Sequence, residues 1–584
     1  MSTTVLVVLG LVIYGVMYFV YGKKLQTHLI QADPNAAPPS KRLRDDVDFV
    51  PTNKWVLFGH HFASIAGAGP IVGPAIAMAW GWIPALLWIW VGNVFIGAVH
   101  DYLSLMASVR HDGKSIQWVA GRMMKPRTGT VFQWFVLFVL VLIVAAFGAI
   151  LGNMFNADPR IPSSNIFTLI AAMILGQILY KTKTNFNVAT IIGILMLAAA
   201  LWLGSVFPIT LSADPTMNYK LWILAMGVYI IAASAMPVWM MLQPRDYLNS
   251  FLLVAGIIIG GAAFLVGLTP LQMPAYTTWS AVVISGKPSP FWPLVPLIIA
   301  CGSLSGFHAL VGSGTSSKQL DNETNGLLVG YGTMFTEGFL STIVVCAVGG
   351  FGFAILGEEA SKALQADTMA FANGYVDAIN KVGGPAGLFS KAYGHGVNAI
   401  LGLPKGAMTL LAGMWVSAFA MTTLDTTNRL ARYTLTELAE PMREKSQTAY
   451  AILSNRWVAS VIPAFLGLWL AWTGQWNLLW PAFSGANQML ASIAMMTAAI
   501  WVCRYLRCSK AYQLTITIPA LFLWVTVSLA LLWYMFYAVP TFAGFKAFVI
   551  GGMTAVMLAL NVMLLVDYFG AQKASIPNGA RQRA

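Results

Sequence analysis

Few residues in the apolar stretches of this chain carry groups able to take up a proton, hold an ion or bind a solute. Glu337 stands roughly 13 Å into one apolar run, counted at the rise of a helix, and His308 lies deep in another, in SGFHAL. Asp101 and Asp425 fall near the ends of two more runs, and His60 and His61 open a fifth. An ionisable side chain in such surroundings is costly to keep, and each is a functional candidate by default. A carboxyl removed from water holds its proton more readily, as a carrier needs, so Glu337 is the leading proton-carrier candidate. His308 either titrates or bonds a solute; a histidine satisfied by its neighbours is the competing account. Asp425 precedes Arg429 by four residues, and an i,i+4 ion pair is its plainest explanation. His60 and His61 read as a gate or as lining of an inner vestibule, with capping and packing as the alternative. Ser313, Ser316 and Ser317 share one helical face by their spacing, where they offer hydroxyls to a cation or permit close helix packing.

A second kind of chemistry needs no side chain. The segment FGHHFASIAGAGPIVGP at 58–74 sets Gly67, Gly69 and Pro70 in the middle of an apolar run. Glycine loosens a helix there and proline removes one backbone donor. An ordinary kink is the simplest account. Five runs later, however, SAMP at 234–237 repeats the pattern. Five is odd, so the two interrupted segments cross in opposite directions, the signature of an inverted repeat with discontinuous first helices. The half-helix starting at Pro70, flanked by Gly67, Ala68, Gly69 and Ile71, would present N–H groups and positive dipole to an anion, as would that at Pro237 beside Ser234 and Met236. The opposite ends, near Ala66–Ala68 and Ser234, would present carbonyls to a cation. Small carboxylates fit such a site.

The elements that must position these groups follow from composition. Of 584 residues, 58% are hydrophobic and 9% charged, against about 25% charged in a soluble domain. Lipid must face most of this surface. A helix needs roughly 20 apolar residues to span hydrocarbon, and runs of that length exclude a barrel. Fifteen spans are predicted, at 3–22, 58–80, 82–106, 130–151, 163–180, 187–206, 219–241, 249–268, 292–315, 328–356, 405–426, 457–473, 478–503, 513–536 and 546–567. With the N-terminus outside and the C-terminus cytoplasmic, all but eight of the 34 basic residues fall on the cytoplasmic side; the eight are Arg160, Lys220, Lys287, Lys362, Lys381, Lys391, Lys405 and Lys546. This is the positive-inside pattern, and it removes nucleic acid as a partner despite the net charge of +13. No basic residue is predicted within a span, so an anion would depend on helix ends. Residues 23–54 read as a cytoplasmic loop, and the Gly-rich 357–404 as a long external loop with a short surface or re-entrant helix.

The expected organisation is a peripheral first helix and loop at 1–54, five-helix repeats at 55–210 and 211–430, and peripheral helices with a short tail at 431–584. The four cysteines show no disulfide framework and no CxxC spacing, and the His pair stands without HExxH. No metal, cofactor or enzymatic activity is expected. A nutrient sensor would need a sizeable output domain, and an ion channel would favour repeated filter motifs, so a secondary transporter is the leading reading.

Longer motifs sharpen it. FGHHFASIAGAGPIVGPAIA, VHDYLSLMASVRHDGKS at 99–115, MPVWMMLQPRDYLNSF at 236–251 and CGSLSGFHALVGSGTSSK at 301–318 resemble the carbon starvation protein A family. GYGTMFTEGF at 330–339, LDTTNRLARY at 424–433 and LWPAFSGANQMLA at 479–491 continue the resemblance over roughly 50–505. It implies an all-α, LeuT-like five-plus-five inverted repeat and uptake of peptides or pyruvate across the cytoplasmic membrane, with proton coupling suggested. In such a fold the eighth repeat helix, here the ninth span, often supplies hydroxyls to Na+, the competing coupling ion. The chain departs from longer members at its ends and carries His100 where Gln is expected before Asp101.

Overall fold

The computed structural model describes residues 1–45, 49–182, 184–236, 241–474, 476–506 and 508–573. These form a polytopic bundle of α-helices with one β-hairpin, Ser280–Ile284 antiparallel to Lys287–Pro290. By length and composition twelve helices suffice to cross a membrane, or fourteen when two bent pairs each count as one span. The remaining predicted span, 292–315, is not one helix. Its residues form two short helices, Phe291–Ile298 and Gly306–Gly314, with an unwound stretch between them.

The first interruption falls where the glycines and proline place it. Lys54–Ile65 ends, Ala66–Ala68 unwinds, and a new helix begins at Gly69 with Pro70 in its first turn; the two parts are bent by 49°. Proline is favoured there because its missing donor is one the first turn leaves unpaired anyway. The second interruption expected at 234–237 is corrected. Pro215–Ala235 is a single helix with Ser234 in its last turn and Met236 as its cap, and Leu242–Val266 follows as the next helix. Pro237 lies outside the described residues. The residue before a proline is pushed out of the α region, and Met236 is accordingly extended, with ψ 158°.

The true second interruption, at 299–305, packs directly on the first. A Cβ on Gly69 would fall on the side chain of Cys301, one on Gly73 on the Ile298 carbonyl, and one on Gly302 on the Ser341 hydroxyl. Only glycine lets the backbones approach this closely. Around this contact the most enclosed spans are Leu479–Tyr505, with 94% of its most apolar stretch buried, Glu323–Phe351 at 89% and Pro126–Ala157 at 83%. Leu479–Tyr505 was expected among peripheral helices and is central. Thr3–Ile30, Asn187–Val206 and Ile550–Lys573 bury only 28% each and form the rim.

The 357–404 segment is not a loop either. It folds into Glu358–Leu364, Thr368–Lys381 and Gly384–Leu401. Tyr375 donates to the Ala75 carbonyl at 2.8 Å and Tyr393 to the Gly256 carbonyl at 2.8 Å, which anchors these helices to the first broken span and to the 242–266 helix. Gly69→Leu would force these backbones apart. Overpacking of this kind costs about 1–3 kcal/mol, so its thermal midpoint in detergent should fall. Gly552→Leu, which meets nothing within 4 Å, should melt with the parent; equal midpoints for both variants would refute the close contact at Gly69.

Candidate functional site

An unwound stretch inside a bundle exposes carbonyl and N–H groups, and here polar side chains from distant helices take them up. Asn487 donates to the Ala300 carbonyl at 2.8 Å and accepts from the Phe307 N–H at 2.9 Å. Gln488 donates to the Leu304 carbonyl at 3.0 Å, and Asn93 to the Gly302 carbonyl at 3.1 Å and the Met334 carbonyl at 2.8 Å. The first interruption is tied by Ser341, which donates to the Pro70 carbonyl at 2.8 Å. Asn93, Asn487 and Gln488 escaped the sequence reading; their signal was an amide inside an apolar run.

The second interruption also gathers three of the sequence candidates into one buried chain. Asp101, from Ala98–Arg110, accepts from His308 Nδ1 at 2.8 Å through one carboxylate oxygen. Its other oxygen lies 2.8 Å from His100 Nδ1. An ionised carboxylate only accepts, so both Nδ1 atoms carry hydrogen, and in a neutral ring Nε2 is then the nitrogen with a free lone pair. His308 Nε2 lies 3.5 Å from Glu337 Oε2. Among the described residues His308 Nε2, His100 Nε2 and both Glu337 oxygens have no hydrogen-bond partner, although all are buried. Cys301, from the unwound stretch, completes the group: its Sγ, a His308 ring nitrogen and a Glu337 oxygen lie within 4.8 Å of one another. Cys301 and His100 were not singled out from the sequence. The arrangement provides an acid, a base and a fixed orienting carboxylate in water-poor surroundings, the ingredients of proton relay.

The serines serve other partners. The helix ends at Gly314, so Ser316 and Ser317 sit in the following 3₁₀ turn instead of sharing a face with Ser313. Ser313 accepts from the Ile116 N–H at 3.0 Å, Ser317 accepts from Ser108 at 2.9 Å, and Ser316 is 2.7 Å from His61 Nδ1. They staple the second broken span to its neighbours. His61 is therefore a packing contact with one free ring nitrogen, while His60, half-open to solvent, faces Asp246 at 3.7 Å.

Asp425 has a different partner from the one its spacing suggested. It pairs with Arg245 in the first turn of the 242–266 helix and accepts from Tyr229 at 2.8 Å. Arg245 also bonds Tyr229, Asp246 at 2.8 Å and Thr422 at 3.1 Å, and it is 3% exposed. The expectation that basic residues stay out of the bundle is corrected: two carboxylates keep Arg245 inside. Arg429, freed from Asp425, donates to the Ala233 and Met236 carbonyls, both at 2.8 Å. The carbonyls expected near Ser234 to attract a coupling cation hold a guanidinium. At the first interruption the carbonyls of Ile65 and Ala68 accept from Gly67, Ile71 and Val72.

A bundle of interrupted, apolar helices around a buried acid–base chain defines a multi-pass membrane transporter. The chain belongs to the carbon starvation protein CstA family, whose model matches residues 2–530. It is 31% identical to the peptide transporter CstA of Bacillus subtilis (strain 168), over 97% of this chain and 96% of that one. It is 30% identical to the pyruvate/proton symporter BtsT of Escherichia coli (strain K12), over 92% of this chain and 82% of that one. Among solved structures, the manganese transporter of Eremococcus coleocola aligns over 91% of this chain and 99% of that one, with a TM-score of 0.40 and 12% identity.

The Arg245 cluster makes a stability prediction. Arg245→Met leaves Asp246 and Asp425 buried without their cation, at a loss of about 3–5 kcal/mol. Arg245→Met with Asp425→Leu removes one of the two stranded carboxylates and should recover part of that loss in thermal denaturation. A double variant no more stable than the single one would contradict the pairing.

Proposed function

We propose that this chain imports a small carboxylate (pyruvate) or a short peptide across the cytoplasmic membrane together with a proton. The observation that carries this reading is Glu337, a buried carboxyl with no hydrogen-bond partner, facing His308 where two interrupted spans touch. A structural carboxyl is normally satisfied by its neighbours; one left unsatisfied is poised to exchange a proton. His308 is the adjoining base, and Asp101 holds its ring in place.

Protonation of Glu337 removes a buried charge from the contact between the broken spans. Loss of that charge lets them rearrange, which couples proton entry to alternating access. Both substrate classes named for the relatives, a peptide and pyruvate, carry a carboxylate, so one anion-accepting geometry serves either. The proton is favoured over sodium because the hydroxyls of Ser313, Ser316 and Ser317 already bond Ile116, His61 and Ser108. The N-terminus lies outside and the C-terminus inside, as the basic loops require.

The test is radiolabelled pyruvate and dipeptide uptake in proteoliposomes, with proton and sodium gradients imposed separately. Glu337→Gln should abolish accumulation driven by a pH gradient and spare counterflow exchange. Accumulation by that variant at the parent level would remove Glu337 from the role. Uptake driven by sodium alone would replace the proton.

A further inference from the structure

The group at the second interruption contains more than a proton relay requires. A thiol, an imidazole and a carboxylate converge from three places: Cys301 in the unwound stretch, His308 in Gly306–Gly314, and Glu337 in Thr333–Phe351. Their donor atoms lie within 4.8 Å of one another, and His308 Nε2 and Glu337 Oε2 are 3.5 Å apart. Ligands of a tetrahedral zinc site sit about 2.0–2.3 Å from the ion, hence roughly 3.5 Å from each other.

Three features point the same way. First, His308 Nε2 and both Glu337 oxygens are buried and have no hydrogen-bond partner, so the two side chains present unused lone pairs to one small space. Second, His308 is held as a metal-binding histidine is held. Asp101 takes its Nδ1–H at 2.8 Å, which fixes the tautomer, turns Nε2 toward Glu337 and raises its basicity as a ligand. Third, the charges close. A thiolate and a carboxylate neutralise a divalent ion, so the ion and its three ligands together bury no net charge, whereas either anion alone would be costly.

We propose that Cys301, His308 and Glu337 form a binding site for a soft divalent transition metal of the zinc class, with one coordination position open. Sulfur and imidazole select zinc-like ions over magnesium or calcium, which require all-oxygen shells. Because the Cys301 side chain rests against Gly69, a metal held here lies at the contact between the two interruptions and ties them together. The assignment shares His308 and Glu337 with the proton carriage proposed above.

The test uses the full chain purified in detergent and needs neither substrate nor gradient, so its failure leaves the transport reading untouched. Titration with Cd²⁺ and Co²⁺ should show one equivalent bound with sulfur-to-metal charge-transfer absorbance. Cys301→Ala should lose that absorbance. Cys346→Ala should keep it, because Cys346 is engaged with the Thr3 carbonyl at 3.8 Å nine residues along from Glu337. Asp101→Asn should weaken binding by about 10- to 100-fold, the usual loss when the group orienting a metal-bound histidine is altered. X-ray absorption of the Zn²⁺-loaded parent requires no variant and should show one sulfur at about 2.3 Å among nitrogen and oxygen neighbours. A shell without sulfur, absorbance that survives in Cys301→Ala, or no stoichiometric binding would each overturn the site.

Discussion

Interrupting a helix inside hydrocarbon frees N–H and C=O groups where no water is at hand, and each unsatisfied group costs several kcal/mol. The architecture is arranged around that constraint. Both interruptions are placed back to back, Gly69 and Gly73 against Cys301 and Ile298, so the irregular backbone of one is shielded by the other and not by lipid. The freed groups are then met by side chains from spans far apart in the sequence: Asn93, Ser341, Asn487 and Gln488. This explains why Leu479–Tyr505, which supplies two of the four, is the most enclosed of the spans. Asn187–Val206, which supplies no such group, lies at the rim with 28% of its most apolar stretch buried.

The same constraint divides the buried charges into two kinds. Around Arg245 both carboxylates are engaged: Asp425 and Asp246 pair with it, and Tyr229 and Thr422 add hydrogen bonds, although its Nε has no partner. Arg429 is likewise spent on the carbonyls that end the 215–235 helix. Such a cluster holds helices in register, because removing one member strands the others. At the second interruption the bonding is incomplete. Asp101 is satisfied by two imidazoles, but the far side of His308 and the whole Glu337 carboxyl are open to each other and to Cys301. An unsatisfied buried carboxyl calls for an explanation, and here it belongs to the group proposed above to take up a proton.

The membrane class, the all-helical fold and the family were legible in the sequence because each is written in local or repeated signals: run length, basic loops and long motifs. The first interruption was legible for the same reason, since glycine and proline act on their own backbone. The second was not. Residues 299–305 contain no proline, and the amides of Asn93, Asn487 and Gln488 that meet their freed carbonyls come from distant spans, a tertiary effect invisible to spacing. SAMP misled because proline ends a helix and breaks one by the same mechanism. Arg245 falls between two predicted spans, on the side the basic loops make cytoplasmic, and its carboxylate partner Asp425 lies 180 residues away. Glu337, His308 and Asp101 were each visible as costly residues, yet only folding shows that they touch.

That contact also decides how the two interruptions relate to function. A break by itself leaves helix ends with partial charges, and the sequence invited the view that these ends alone hold the solute. In the folded chain many of those ends are already occupied: Asn487 caps the 306–314 helix, Arg429 binds the carbonyls near Ser234, and Ile65 and Ala68 bond their own neighbours. Moving the spans apart would therefore break hydrogen bonds unless something replaces them. The region that can change without such a loss is the one where partners are missing, between Cys301, His308 and Glu337. A proton there alters the charge at the contact of the two broken spans without first undoing a cap. The unwound stretch is thus the scaffold, and the incompletely bonded group beside it is the part left free to respond.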